Sequence, residues 1–198
     1  MRSCLSQFRS PPFLGSVTPP GRLHRALSEA GDRAKTGPAR PASIELIDLA
    51  EQRIAFADGR PPEALDDDTD RVVTALARAD AAVLATPVYR GSFTGALKNL
   101  LDHVPVQALR ATPAGIVAMG GSDHHYLGVE RHTRDVLAFF GAQSLPTAVY
   151  LSWRGFTDGT PGERAARELD ELFTAVSALA RALHAAPPLG PAPLVARF

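Results

Sequence analysis

The chain has a single cysteine, Cys4, among 198 residues, which excludes an internal disulfide and any zinc or iron–sulfur site built from several thiolates. It has no net charge, since 21 lysines and arginines balance 21 aspartates and glutamates. No field therefore draws it towards nucleic acid or an anionic membrane surface. No run approaches the ~18 consecutive apolar residues that a membrane span needs. The basic residues at the N-terminus, Arg2 and Arg9, are followed by no apolar stretch, which makes a poor secretory signal. These absences lead to the expectation of a cytoplasmic protein that engages neither nucleic acid nor membrane. The length suits one domain with a full core and is short for two.

What is present is an alternation of strand and helix patterns. Ala81 to Ala85 and Ala114 to Met119 are continuous apolar runs, as parallel strands buried on both faces should be. Ile44 to Leu49 alternates apolar and polar residues, which suits a strand nearer the edge, and Leu145 to Leu151 supplies another with its proline near the start. Between them, Val72, Val73, Leu76 and Ala77 have helical spacing behind the acids Asp66 to Asp68. Phe93, Leu97, Leu100, Leu101 and Val104 make a second stripe, and Val129 to Phe140 a third that stops at Gly141. Thr160-Pro161-Gly162-Glu163 reads as a capping box with proline at the first helical position. The helix it opens carries Leu169, Leu172, Phe173, Val176, Leu179 and Leu183. The alternation argues for a parallel α/β sheet in one domain, residues 1–186, with a Pro-rich arm over 187–198. The beginning is the exception. A central first strand has only Ser10-Pro11-Pro12-Phe13-Leu14-Gly15 to draw on, and prolines cannot donate to a ladder. That strand is either very short or departs from the pattern.

In such sheets ligands bind beyond the carboxyl ends of the strands, where the winding reverses. Three loops fall there. Gly15 to Gly21, leading into Arg22-Leu23-His24, offers hydroxyls (Ser16, Thr18), amides before a helix and the charge of Arg22, a set that suits a phosphate. Pro19 and Pro20 remove two donors from it, and the same residues read equally well as a solvated turn. Thr86-Pro87-Val88-Tyr89-Arg90-Gly91 follows a buried strand and opens a helix, as ligand loops of open α/β sheets do, with Gly91 allowing close backbone approach. Taken singly, Tyr89 reads as a core aromatic and Pro87 as a turn residue. Gly120-Gly121-Ser122-Asp123-His124-His125 frees the backbone to follow a ligand edge. Its histidines, with His132 further on, invite a metal reading. However, adjacent histidines on a regular element point apart and no acid or cysteine recurs nearby, so no metal is expected.

The block from Thr86 to Asn99, together with Gly120 to His125, Phe139-Phe140-Gly141-Ala142 and Leu145-Pro146-Thr147, resembles the NAD(P)H-dependent FMN reductases of flavodoxin-like fold. The likeness runs from about Ile44 to the final helix and is weak before Gly15. It is nearest to reductases that pass reduced FMN to a separate flavin-dependent monooxygenase of the alkanesulfonate or luciferase-like kind. The resemblance implies a three-layer sandwich around a five-stranded parallel sheet of order 2-1-3-4-5. It implies FMN as cofactor or substrate, NADPH or NADH as co-substrate, and a homodimer or homotetramer in which Leu97 and Leu101 face a partner. It places Pro87, Val88, Tyr89, Arg90 and Gly91 against the flavin ring, Gly120, Gly121, Ser122 and His124 along its edge, and Ser16, Thr18 and Arg22 at the phosphate. Some members carry a π-bulge in the helix after the third loop, which would fall near Arg131 or His132. Hydride chemistry belongs to the flavin, so no catalytic side chain is expected. Two alternatives stand beside this reading: a flavoprotein that retains FMN and reduces quinones or azo dyes, and a flavodoxin-like protein that has lost FMN binding.

Overall fold

The computed structural model describes residues 8–37, 44–124 and 126–184; the Pro-rich arm lies outside them. The first strand exists and is very short: β1 is Pro12–Leu14. It sits between β2 (Ile47–Asp48) and β3 (Ala82–Pro87), parallel to both. The prolines are tolerated because the ladder uses what they retain. The Pro11 carbonyl accepts from Val83 N, and beyond the prolines the Gly15 N–H donates to the Ala85 carbonyl at 2.8 Å. β3 pairs with β4 (Pro113–Gly120) over six residues. Beyond it the fifth position is split, and both β5 (Gln143–Ser144) and β6 (Val149–Ser152) pair with β4. The resulting order, β2-β1-β3-β4-β5 with β6 also on β4, is the parallel flavodoxin-like arrangement that the resemblance implies.

Alternation within the strands distributes side chains to two cores. Leu14, Val83, Ala85 and Val117 face α1 (Arg22–Thr36) and α5 (Glu163–His184). Phe13, Leu84 and Ile116 face α2 (Thr69–Ala77), α3 (Gly95–His103) and α4 (Tyr126–Phe139). A glycine in β4 lets α5 lie close, since a Cβ on Gly115 would stand 2.9 Å from Val176 Cγ2. Among the described residues no helix is long and apolar enough to cross a membrane.

Four expectations are corrected. The second strand covers only Ile47–Asp48, because Leu49–Glu51 turns into a 3-10 helix capped by the Asp48 side chain. Of the strand expected over Leu145 to Leu151 only the end forms, in β6 from Val149; residues 145–148 are not strand and bend at Pro146, and the short β5 lies before them. Thr160-Pro161 opens no helix. It forms β8, antiparallel to β7 (Phe156–Thr157), and α5 starts at Glu163 behind Gly162. Finally, Leu97 and Leu101 are 0% and 3% exposed in the single chain. They are core residues, so no partner surface is built from them.

Candidate functional site

The three loops leave the carboxyl ends of β1, β3 and β4, which are neighbours in the sheet, and hydrogen bonds tie them to one another. After β1, Gly15 packs against α3 so tightly that a Cβ on it would meet Leu97 Cβ at 2.6 Å. Ser16 is buried, and its hydroxyl lies 3.0 Å from Thr18 Oγ1 and accepts from Thr18 N at 3.3 Å. Pro19 and Pro20 are exposed, and Gly21 is an extended N-cap that provides no side-chain cap. The first intrahelical bond of α1 runs from Arg25 N to Gly21 O, so the amides of Arg22, Leu23 and His24 are the unpaired donors of a helix start. No acid lies in that first turn. Arg22 is exposed with no hydrogen-bond or ion-pair partner among the described residues. The prolines thus remove donors ahead of the helix but leave those of its first turn, which are the ones a phosphate uses.

After β3, the Val88 amide donates to the Met119 carbonyl at 2.8 Å, joining the second loop to the end of β4. Tyr89 and Ser92 then exchange both backbone hydrogen bonds, at 2.9 and 3.1 Å, around Arg90 and Gly91. Both central residues have positive φ, 53° and 77°, which makes this a type I′ turn. For an arginine that conformation costs on the order of 1 kcal/mol, and the surroundings hold it there. His132 Nδ1 lies 3.0 Å from Ser92 Oγ, and Gly128 of α4 presses against Gly91. Tyr89 is half exposed, and nothing within 4 Å would meet a Cβ on Gly91, so the turn presents an open face.

After β4, Gly120 is buried where a Cβ would stand 1.9 Å from the Tyr150 hydroxyl, whereas Gly121 looks onto open space. The Tyr150 hydroxyl donates to the Ser122 carbonyl at 2.6 Å, and Ser122 Oγ accepts a long bond, 3.5 Å, from His124 N. A hydrogen bond with Ser152 and the charge of Arg154 lower the pKa of Asp123, and Arg154 reaches it at 3.0 Å. His124 is exposed, and His125 lies outside the described residues. α4 is α-helical throughout, so the π-bulge expected near Arg131 or His132 is not there. Among the described residues no three His, Cys, Asp or Glu side chains gather as a metal site.

The twelve residues named from the sequence therefore belong to three mutually braced loops at one end of the sheet. A cavity of about 610 Å³ opens beside them, lined by Asp123, Tyr126, Tyr150, Arg154 and the start of α5. None of the twelve lines it. The residues sequence reasoning passed over are Thr86 and Thr94, 0% and 2% exposed. Thr94 N donates to Thr86 Oγ1, Thr86 Oγ1 donates to the Pro87 carbonyl, and Thr94 Oγ1 donates to the Gly15 carbonyl. The one available signal is a threonine just ahead of a helical stripe, the mark of an N-cap.

As a fit for FMN, the arrangement supplies for the phosphate a helix start without a side-chain cap and an exposed Arg22 unpaired among the described residues, and two glycine-bearing backbone edges for a planar ring. Comparison with known proteins agrees. Residues 13–154 match the family described as NADPH-dependent FMN reductase. An NAD(P)H-dependent FAD/FMN reductase of Geobacillus thermodenitrificans is 42% identical over 115 residues, covering 58% of this chain and 62% of that protein. The NADH-dependent FMN reductase SfnF of Pseudomonas putida is 32% identical over 144 residues, covering 72% and 76%. Among solved structures, an oxidoreductase from Corynebacterium diphtheriae superposes with a TM-score of 0.69 at 23% identity, covering 89% of this chain and 99% of that one. That last likeness concerns the fold.

Proposed function

The chain belongs to the NADPH-dependent FMN reductase family, and from that premise we propose that it reduces FMN with NADPH or NADH. The observation that carries the reading is the bracing of three loops at the carboxyl ends of adjacent strands, two of them with open glycine edges. When bound, FMN supplies the hydride acceptor for reduced nicotinamide. The protein's part is to bind and orient. The first-turn amides of α1, with Ser16, Thr18 and Arg22, hold the phosphate. Pro87 to Gly91 form one wall for the ring, fixed by the type I′ turn, and Gly120 to Ser122 with His124 form its edge. No side chain in these loops is asked to move a proton or attack an atom.

The supply of reduced flavin to a flavin-dependent monooxygenase is the finer form of this proposal. It rests on the likeness of residues 120–125 and 139–147 to reductases of such systems. A homodimer or homotetramer is proposed with it, and α4 offers the surface, since Tyr126, Leu127 and Phe139 are exposed at 45%, 67% and 50%. A titration of FMN into the purified protein, followed by gel filtration, tests the reading. Saturable binding that is lost on the column supports FMN as a diffusing substrate. A protein that stays yellow points instead to the flavin-retaining quinone or azo reductase, and absence of binding overturns both.

A further inference from the structure

We propose that Thr94 is a positioning residue that sets the phosphate end of the flavin site in register with its ring end. The proposal rests on the flavin reading above and adds to it a residue that touches neither end. The Gly15 carbonyl is met by a side chain from another element, the Thr94 hydroxyl. That bond joins positions 79 residues apart in sequence. Gly15 is the last residue before Ser16, and Thr94 is the N-cap of the helix that follows the ring loop.

The hydroxyl has a second task, because Thr94 Oγ1 also accepts from Leu97 N at 3.2 Å. Its own amide donates to Thr86 Oγ1 at 3.1 Å, and Thr86 passes a bond to the Pro87 carbonyl at 2.9 Å. A continuous chain thus runs from the phosphate loop (Gly15) through Thr94 and Thr86 to the first residue of the ring wall (Pro87). The links from Gly15 through Thr94 to Thr86 are buried and the last, to Pro87, is partly so; buried hydrogen bonds are directional and costly to leave unmade. The packing reinforces it, because Gly15 has no room for a methyl group between Leu97 Cβ and Thr94 Oγ1, at 2.6 and 3.1 Å. The spacing of the two half-sites is therefore fixed from inside, by a group that a planar ring or a phosphate never contacts.

A purely structural N-cap and a register-setting residue differ in what they do to two ligands. Riboflavin carries the ring without the phosphate, whereas FMN carries both and so alone depends on their register. The experiment titrates FMN and riboflavin into wild type, Thr94→Val and Thr94→Ser, with Tm measured on each. Loss of the buried bond in Thr94→Val is expected to weaken FMN about tenfold and riboflavin less than about twofold, with Thr94→Ser near wild type. Should Thr94→Val not fold, Gly15→Ala, which pushes the same contact apart from the other side, is expected to show the same selective loss. An equal fall for both flavins, or none for either, overturns the proposal. Failure of the wild type to bind either flavin overturns the flavin reading itself.

Discussion

Gly128 of α4 lies against Gly91 so closely that a Cβ built on Gly128 would stand 2.7 Å from the Gly91 carbonyl oxygen. No real side-chain carbon tolerates that distance, so the helix and the turn share a contact only glycine permits. Gly128→Ala is expected to displace the Arg90-Gly91 turn at a cost of about 1–3 kcal/mol, the range of ordinary overpacking. The displaced turn is the ring wall, so FMN affinity should fall together with Tm. Thermal melts with and without FMN check both.

Tyr150 braces the opposite edge. Its hydroxyl donates to the Ser122 carbonyl at 2.6 Å and fills the space that Gly120 leaves. Tyr150→Phe keeps the ring and removes the donor, at a cost of about 1 kcal/mol in the fold. FMN binding is expected to weaken by a few-fold, while the fold itself, followed by circular dichroism, stays intact.

How far the site could be read in advance follows from where its energy lies. β3 and β4 were legible because a strand buried on both faces must be apolar throughout, and the glycines beside them marked the ring loops. β1 was nearly hidden, since Pro11 and Pro12 look hostile to a ladder. The Pro11 carbonyl and the Gly15 amide show how three residues suffice. The capping box at Thr160 misled because its pattern is local, whereas β7 pairs with Pro161 across a turn that sequence spacing does not reveal. Thr86 and Thr94 were illegible as a pair, because their meaning is a contact with Gly15 across the sheet.

Asp48 closes the short β2 beside β1, 1% exposed, with one carboxylate oxygen accepting from Ala50 N and the other unpaired. Burial pushes its pKa up, against the Ala50 hydrogen bond and the charge of His24, which pull it down. A carboxyl raised in the folded state favours folding in its protonated form. That contribution is fully present below its unfolded value, about 3.9, and is lost as pH rises through the raised value. Asp48→Asn keeps an acceptor for Ala50 and carries no such pH dependence. Its Tm is expected to exceed that of wild type at neutral pH, with the gap closing towards pH 4. A gap that does not change with pH would contradict the assignment.

Arg22 stands exposed at the start of α1, with no partner among the described residues. Arg22→Ala is expected to weaken FMN by roughly tenfold, the scale of one charge-assisted bond to a phosphate, and to leave riboflavin binding and Tm unchanged. The two flavins titrated side by side give the answer, and an unchanged FMN affinity would remove the first loop from the site.

The most direct measurement is an anaerobic assay of the purified chain with NADPH or NADH, in the presence and absence of added FMN. The account predicts that nicotinamide oxidation and bleaching of the flavin proceed together, one equivalent for one, and that both stop when FMN is withheld. Nicotinamide left unoxidised with FMN present, from either nucleotide, would contradict it.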